Sequence, residues 1–365
     1  MGASAARHLA LAGADVTLIG PEEPAPGGPG PYGSHHDAGR ITRSLASDPL
    51  WAEVARASIA RYRALERASG ISFFNEVGSV MAGPHSGPGS SFIEHTQRVA
   101  HDLALPHDRL EGTDLESALP MFRFPTGTRA LHERSRAGTI DPRAYLRASN
   151  AVAVQAGMQR IACAVTRIQR SAGAVTLSCA DGSELTADRA ILATGAYGDT
   201  LMPLPAPLRR MARTVLLVAL SEAEAAALGP MPSLVWQPPG EGTDYYLLPP
   251  VRYPDGRLRL KIGGDPIDRI LEGTEQIDDW FRSGGNAEVA EHLNGVLRNV
   301  MPALPAGQTT VAACVTSFTP NSAPMIEQDG PITLCLGGNG AGAKCADELG
   351  RRAAALALHT EGYGK

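Results

Sequence analysis

Four cations, one cysteine and two glycine-rich turns are the residues of this sequence with chemistry to offer. Arg40 and Arg43 stand three apart in GRITR, a spacing that can set both on one side of a turn. Lys261 sits in RLRLKIGG, where Arg257, Arg259 and Lys261 alternate with Leu258 and Leu260. On spacing alone, each of these sets also reads as solvated surface. Lys344 follows GGNGAGA, glycines placed before a helix N-terminus of the kind that receives anions, and by itself it equally reads as an exposed helix residue. Cys314 is one of five cysteines, at 163, 179, 314, 335 and 345, which are too few and too irregular for a disulfide framework and contain no CxxC pair. A cysteine without a motif is most often a small buried hydrophobe, and Cys163, Cys179 and Cys335 read that way. His35 and His36 are adjacent but lack a third ligand at metal spacing, so no metal site is expected.

The elements that must position these groups follow a nucleotide-binding order. Residues 3 to 13, ASAARHLALAG, predict an Ala-rich helix stopped by Gly13, and ADVTLIG after it predicts a buried strand ending at Gly20. This is the back half of a βαβ unit, whose G-x-G-x-x-G turn would place its last glycine at Gly2. The first strand is therefore expected before Met1, from a start further upstream. If Met1 is the true start, cofactor affinity and folding should suffer. The loop at 21–34 is rich in Pro and Gly and suits contact with a ligand; two helical patterns span roughly 49–70. A hairpin turning at Asp181-Gly182 leads to a buried strand, Ala190 to Ala193, that ends in Thr194-Gly195. From 213 to 264 the pattern changes to strands divided by Pro and Gly, which predicts a separate antiparallel sheet, and the end returns to strand, turn and helix. The stretch 83–90, GPHSGPGS, predicts a flexible loop without chemistry.

A chain of 365 residues, 43% hydrophobic and 19% charged, is long enough for two cores. Its net charge of -5, with arginine mixed among acids, leaves no basic stripe for nucleic acid. No stretch reaches the ~18 apolar residues of a membrane span, and no leader is evident, so a cytoplasmic protein is expected.

Four segments in the right order resemble the sarcosine oxidase and N-methyltryptophan oxidase family of FAD-dependent amine oxidases: MGASAARHLALAGADVTLIG, GSHHDAGRITR, LKIGG, and ACVTSFTPNSAPMI with GGNGAGAK behind it. The resemblance implies an α/β fold in which a discontinuous, Rossmann-like doubly wound FAD-binding domain (1–70, 135–205 and 305–365) is joined to an antiparallel β-sheet substrate-binding domain (71–134 and 206–304). It implies a thioether from Cys314 to FAD, and Lys261 near flavin N5, where a fixed cation stabilises charge developing on oxygen. It places Arg40 and Arg43 in the active site, with Arg43 and Lys344 as a pincer for a substrate carboxylate and Tyr246 lining the substrate pocket. Cofactor contacts are implied at Gly2, Ser34, His35, His36, Val165, Thr194, Gly195, Gly338, Gly340 and Gly342.

The chain also departs from that family. Thr316 stands where the sarcosine enzyme has tyrosine, and Ala341 and Asp265 where it has histidines. These changes predict a larger pocket and a substrate other than sarcosine, such as a larger or cyclic amino acid. No acidic residue ends the strand at Gly20 to bond the adenosine ribose, which leaves Glu22 or Glu23 as replacements. The expected activity is oxidation of a small amine or amino acid, with O2 as the second substrate. Two alternatives stay open: a dehydrogenase that passes electrons to a partner, and a degenerate flavin fold without activity.

Overall fold

The computed structural model describes residues 1–25, 27–171, 173–264, 266 and 269–359. Alanine at near-helical spacing forms the first helix, Gly2–Leu11, which buries Ala3, Ala5, Ala6 and Ala10. The chain leaves it through Gly13 in a left-handed conformation at φ +84°. The helix lies against the last one, Gly342–His359, and the approach is close: a Cβ on Gly350 would stand 2.4 Å from Ser4 Cβ. Asp48 caps the next helix, Pro49–Ser69, by accepting hydrogen bonds from the amides of Leu50 (2.8 Å) and Trp51 (3.3 Å), and Gly70 ends it in the left-handed region. The two helical patterns expected over 49–70 are thus one helix. Nothing between 50 and 69 breaks it, and its buried stripe runs through Trp51, Val54, Ala55, Ser58, Ile59, Tyr62 and Leu65 without a phase shift.

The strand Thr17–Ile19 pairs in parallel with Gln159–Ile161, and its three residues are exposed or half-buried rather than buried. Ala190–Leu192 pairs in parallel with Ile332–Leu336, which returns antiparallel to Met325–Asp329. Among the described residues these parallel pairs belong to two separate sheets, with the first helix touching both Thr17–Ile19 and Ala190–Leu192. The expected hairpin forms from Ala174–Cys179 and Glu184–Ala187, turning at Asp181 and Gly182 (φ +85°), and Val165–Ser171 adds a third strand.

The larger body is a nine-stranded sheet. Its order runs Arg269–Leu271, Arg209–Leu220, Leu258–Gly263, Tyr245–Arg252, Ser233–Trp236, Ser79–Pro84, Thr128–Glu133 and Asp108–Glu111, and Thr309–Phe318 pairs along Arg209–Leu220. Every pairing is antiparallel except that of Ser233–Trp236 with Ser79–Pro84. Strands from 79–133 and from 209–271 therefore share one sheet, and the strand carrying Cys314 joins it. Leu216, Val218, Leu234, Leu247 and Leu260 pack in one core with Val289, Leu293 and Leu297 of the helix Ala287–Val300.

A charge network centred on the buried Asp347 joins the first and last helices to the helices Pro49–Ser69 and Pro142–Gln155. Asp347 accepts from Arg7, from Arg61 Nε at 2.5 Å and from Tyr145 at 3.2 Å, while Arg61 also reaches Glu348 at 2.6 Å. Burial alone would raise the Asp347 carboxyl, but the hydrogen bond from His8 and the charges of Arg7 and Arg61 outweigh it and hold the group well below the usual range. Its stabilising contribution is thus complete above an ordinary carboxylate pKa of ~4 and fades as pH falls. Asp347→Ala strands the buried Arg7 guanidinium, so urea unfolding should show a loss of about 3–5 kcal/mol at neutral pH.

Candidate active site

Three strands and one loop build the site. Ser34 Oγ donates to the Val315 carbonyl at 2.7 Å, which ties the loop that begins GSHH to the strand Thr309–Phe318 next to Cys314. Arg40 extends this contact. Its Nη2 donates to the Ser34 carbonyl at 2.6 Å and lies 3.6 Å from Cys314 Sγ. On its other side Arg40 pairs with Asp37. Asp37 Oδ2 also accepts from Lys261 Nζ at 2.5 Å, and Lys261 reaches the Gly39 carbonyl at 3.0 Å. A continuous line of contacts therefore runs from the Cys314 thiol through Arg40 and Asp37 to Lys261.

Strand register explains why these groups meet. The strand Arg209–Leu220 stands between the other two, with Arg213 opposite Cys314 on one edge and Leu217 opposite Lys261 on the other. Lys261 is 0% exposed, and its neighbours Arg259 and Leu260 are buried as well, so the alternation in RLRLKIGG marks a strand covered on both faces instead of a solvated one. Burial and the nearby Arg40 pull the Lys261 ammonium well below its ordinary range, while Asp37 favours the charged form. Tyr246 stands with its ring centre 5.9 Å from Lys261 Nζ. It faces Gly263 across the strand pair, and a Cβ there would come 2.2 Å from the Tyr246 Cζ, so the ring lies over backbone that only glycine leaves uncovered. Burial pushes the Tyr246 phenol up to about 12.

A cavity of about 500 Å³ opens beside this line, walled by His36, Asp37, Arg40, Arg143, Tyr253 and Cys314. The Pro and Gly rich loop closes one side. Tyr32 stacks on Phe281 of the helix Gly273–Ser283 with ring centres 5.2 Å apart, and the Tyr197 hydroxyl accepts from the Tyr32 amide (3.0 Å) while donating to Asp278 (2.7 Å). The same helix holds the cysteine strand, since Trp280 Nε1 donates to the Cys314 carbonyl at 2.9 Å.

A second pair of cations lies apart from these. Lys344, in the first turn of the last helix, is buried rather than exposed, and its Nζ lies 3.4 Å from the Arg43 carbonyl. Arg43 donates to the Leu45 carbonyl, but its Nε is buried without a partner. Glu133 is close by, yet its carboxylate is taken by the amides of Ser44 and Leu45 at 2.9–3.2 Å. Among the described residues, neither Arg43 nor Lys344 has a carboxylate within ion-pair distance. Burial and the Arg43 charge lower the Lys344 ammonium to about 7.

The glycine turn before the last helix is pinned by Asn339, at φ +45°, whose amide donates to the Ser317 carbonyl (3.0 Å) and whose side chain bonds Thr319 and Gly337. Gly340 is left-handed at φ +76°, with Thr316 Cγ2 3.9 Å from where its Cβ would be, and Gly338 packs on Gly342. Ala341 thus belongs to this turn and Thr316, on the strand Thr309–Phe318, borders it; Asp265 lies outside the described residues. Gly2 approaches Ala193, just before Thr194 and Gly195. Val165 is half-buried at the start of its strand, opposite Cys179. His35 is exposed with its ring 4.1 Å from that of His36 at the cavity rim. Glu22 and Glu23 pair with Arg160 (2.7 Å) and Arg143. Cys163 and Cys179 approach each other and Asp181 closely enough to share an ion, but one Asp181 oxygen already accepts from the Ser183 amide and hydroxyl.

The structure thus brings Ser34, Arg40, Lys261, Tyr246 and Cys314 together, and Arg43 with Lys344. Sequence reasoning missed Asp37, which joins two of its members. The available signal was the D-x-x-R spacing of Asp37 and Arg40 within a segment already singled out.

A family model described as FAD dependent oxidoreductase matches residues 1–356. The chain belongs to this family. N-methyl-L-tryptophan oxidase of Yersinia pestis is 24% identical over 367 residues, covering 98% of this chain and 92% of that protein. Among solved structures, NikD, an amino acid oxidase essential for nikkomycin biosynthesis, superposes with a TM-score of 0.74 at 19% identity, covering 100% of this chain and 92% of the other. Iminodiacetate oxidase from Chelativorans sp. BNC1 gives 0.73 at 19% (100% and 94%), and L-proline dehydrogenase from P. horikoshii gives 0.77 at 15% (99% and 91%). The protein is an FAD-dependent oxidoreductase with the mixed α/β fold of that family. The residues present fit the cofactor: Thr194 Oγ1 is buried without a partner, Gly195 (φ +60°) and Gly342 face open space where a Cβ would project, and the last helix begins at Gly342.

Proposed function

We propose that this flavin oxidoreductase is an oxidase of a small secondary or primary amine or amino acid, giving an imine and hydrogen peroxide. The observation that carries it is the buried pair Arg43 and Lys344, two cations that have no carboxylate in ion-pair contact among the described residues, with Arg43 Nε left without a partner. A carboxylate brought by a substrate would fill that vacancy, Arg43 offering a planar fork and Lys344 a point charge. When bound, FAD would supply the electron acceptor for hydride equivalents from the carbon beside the amine nitrogen, with oxygen as the final oxidant.

The chain's own residues supply position and charge. Thr194, Gly195, Gly2, the turn at Gly338, Gly340 and Gly342, and the backbone near Val165 would hold the cofactor, with Ser34, His35 and His36 along its edge and Cys314 as its covalent anchor. Tyr246 would wall the amine, and Thr316 and Ala341, being small, would leave room for a substrate larger than sarcosine. Lys261 would stand where charge develops as oxygen is reduced. The ranges 1–70, 135–205 and 305–365 would hold FAD and the ranges 71–134 and 206–304 the amine. The names of the similar enzymes, which include oxidases of N-methyl-L-tryptophan and of iminodiacetate, support the amine class. No described helix is long and apolar enough to cross a membrane, and a cytoplasmic location belongs to the proposal. Likeness to a proline dehydrogenase supports the second reading, electron transfer to a partner.

Two measurements test this reading. Amino acids and simple amines should bleach the bound flavin under anaerobic conditions, with peroxide formed on admitting air; acids that lack the amine should bind without bleaching. The affinity of such an acid should be pH-dependent. Lys344 is charged below about 7, so binding should be tightest below that pH and weaken by up to about tenfold per pH unit above it. Flavin-difference titrations at pH 6 and 8.5 check this, and equal affinity at both would remove Lys344 from the pincer.

A further inference from the structure

We propose that Asp37 is the positioning residue for Lys261: one carboxylate oxygen holds both the Lys261 ammonium and the Arg40 guanidinium, and so fixes a single net positive charge on the cavity wall beside Cys314. The inference rests on the oxidase reading and adds a residue that the sequence did not indicate.

The geometry is specific. Lys261 is wholly buried, and both of its hydrogen-bond partners, Asp37 Oδ2 at 2.5 Å and the Gly39 carbonyl at 3.0 Å, belong to one three-residue stretch. Asp37 is itself fixed. Its Oδ1 accepts from the Ala38 amide at 2.7 Å and from the Tyr253 hydroxyl at 3.2 Å, and both oxygens are thereby aimed. Arg40, the second cation on Oδ2, also holds the Ser34 carbonyl and reaches Cys314 Sγ. A carboxylate between two cations leaves the trio with one net positive charge, where two uncompensated cations side by side would repel each other in a buried setting. The titratable groups that face Lys261 are Asp37 from the loop, Arg40 at the start of the short strand Arg40–Thr42, Tyr246 across the strand pair, Tyr253 on Asp37, and Cys314 from the strand beyond Arg209–Leu220. Burial and Arg40 work against the ammonium, and Asp37 is the carboxylate in contact that works for it.

The composition makes this directly measurable. The chain has three lysines, at 261, 344 and 365, so protein labelled with ¹³C at lysine Cε gives three signals, assigned by Lys261→Met and Lys344→Met. In the holoprotein, Asp37→Asn should move the Lys261 titration to lower pH and leave that of Lys344 where it was. Oxygen should then reoxidise the variant more slowly by about tenfold for each pH unit above the new midpoint, while the parent stays flat over the same range. Asp37→Glu, which keeps the charge, should stay near the parent. A Lys261 midpoint unmoved in Asp37→Asn would overturn the proposal. Should that variant not fold, Arg40→Gln decides, because Asp37 then serves Lys261 alone and its midpoint must rise; an unchanged or lower midpoint overturns the proposal equally. The lysine titration reads Asp37 whether or not the parent uses oxygen, so a failure of the oxidase reading would be seen separately, as a parent whose reduced flavin does not react with oxygen.

Discussion

Replacing Lys261 by methionine is expected to slow the reaction of the reduced enzyme with oxygen by about 10²–10³-fold while anaerobic reduction by the amine changes only a few-fold. The reason lies in where charge appears. Reduction of oxygen builds negative charge, and a fixed cation in a water-poor site stabilises that step without the cost of reorganising solvent. Lys261 is held by the Asp37 carboxylate and the Gly39 carbonyl and is wholly buried. Methionine keeps the length and apolar stem and removes the charge, and the surrounding strand pairs are backbone-bonded and should survive. Stopped-flow mixing separates the two half-reactions. Equal slowing of both would make Lys261 a structural residue. A parent that reacts sluggishly with oxygen but fast with an artificial acceptor would favour the dehydrogenase reading instead.

Cys314→Ala is expected to abolish covalent flavin altogether. Acid-denatured parent protein should carry the mass of one FAD, less the thiol hydrogen and one methyl hydrogen lost as the thioether forms with oxygen as the final oxidant; the variant should fall to the bare chain mass and release its FAD. The site favours this cysteine over the rest. Cys314 is half-buried, and the other four are buried. Arg40 Nη2 donates to the Cys314 sulfur at 3.6 Å, whereas burial pushes the Cys335 and Cys345 thiols up to about 11. Cys345→Ala therefore serves as the control that should keep its flavin. A parent already at the bare chain mass would refute the attachment.

Particular residues show how far the sequence could be read. The alternation around Lys261 and the glycines before Lys344 identified the right segments, because strand period and helix-terminal glycines are local signals. Taken alone, the same signals left a solvated reading open for both lysines, and both are buried, since what covers a strand or a helix face comes from distant chain. Asp37 was readable only in part: the D-x-x-R spacing ties it to Arg40, but its tie to Lys261 is long-range. Its importance arises from Lys261, 224 positions away, and no spacing within GSHHDAGR encodes that partner. The nine-stranded sheet was visible as strands between 213 and 264, but its strands from 79–133 and the pairing of Thr309–Phe318 are long-range choices that local pattern leaves free.

The strand Arg209–Leu220 bears on how such an enzyme could diverge. It is a shared ruler, with the thiol registered opposite Arg213 on one edge and the ammonium opposite Leu217 on the other. Loops around it can lengthen or change residue by residue, and the pocket can drift toward new amines. One residue inserted between 213 and 217 would slide cysteine and lysine past each other by ~3.4 Å and turn one of them to the opposite face of the sheet. Substrate choice is thus open to gradual variation, whereas the spacing between thiol and ammonium can change only through a bulge or not at all.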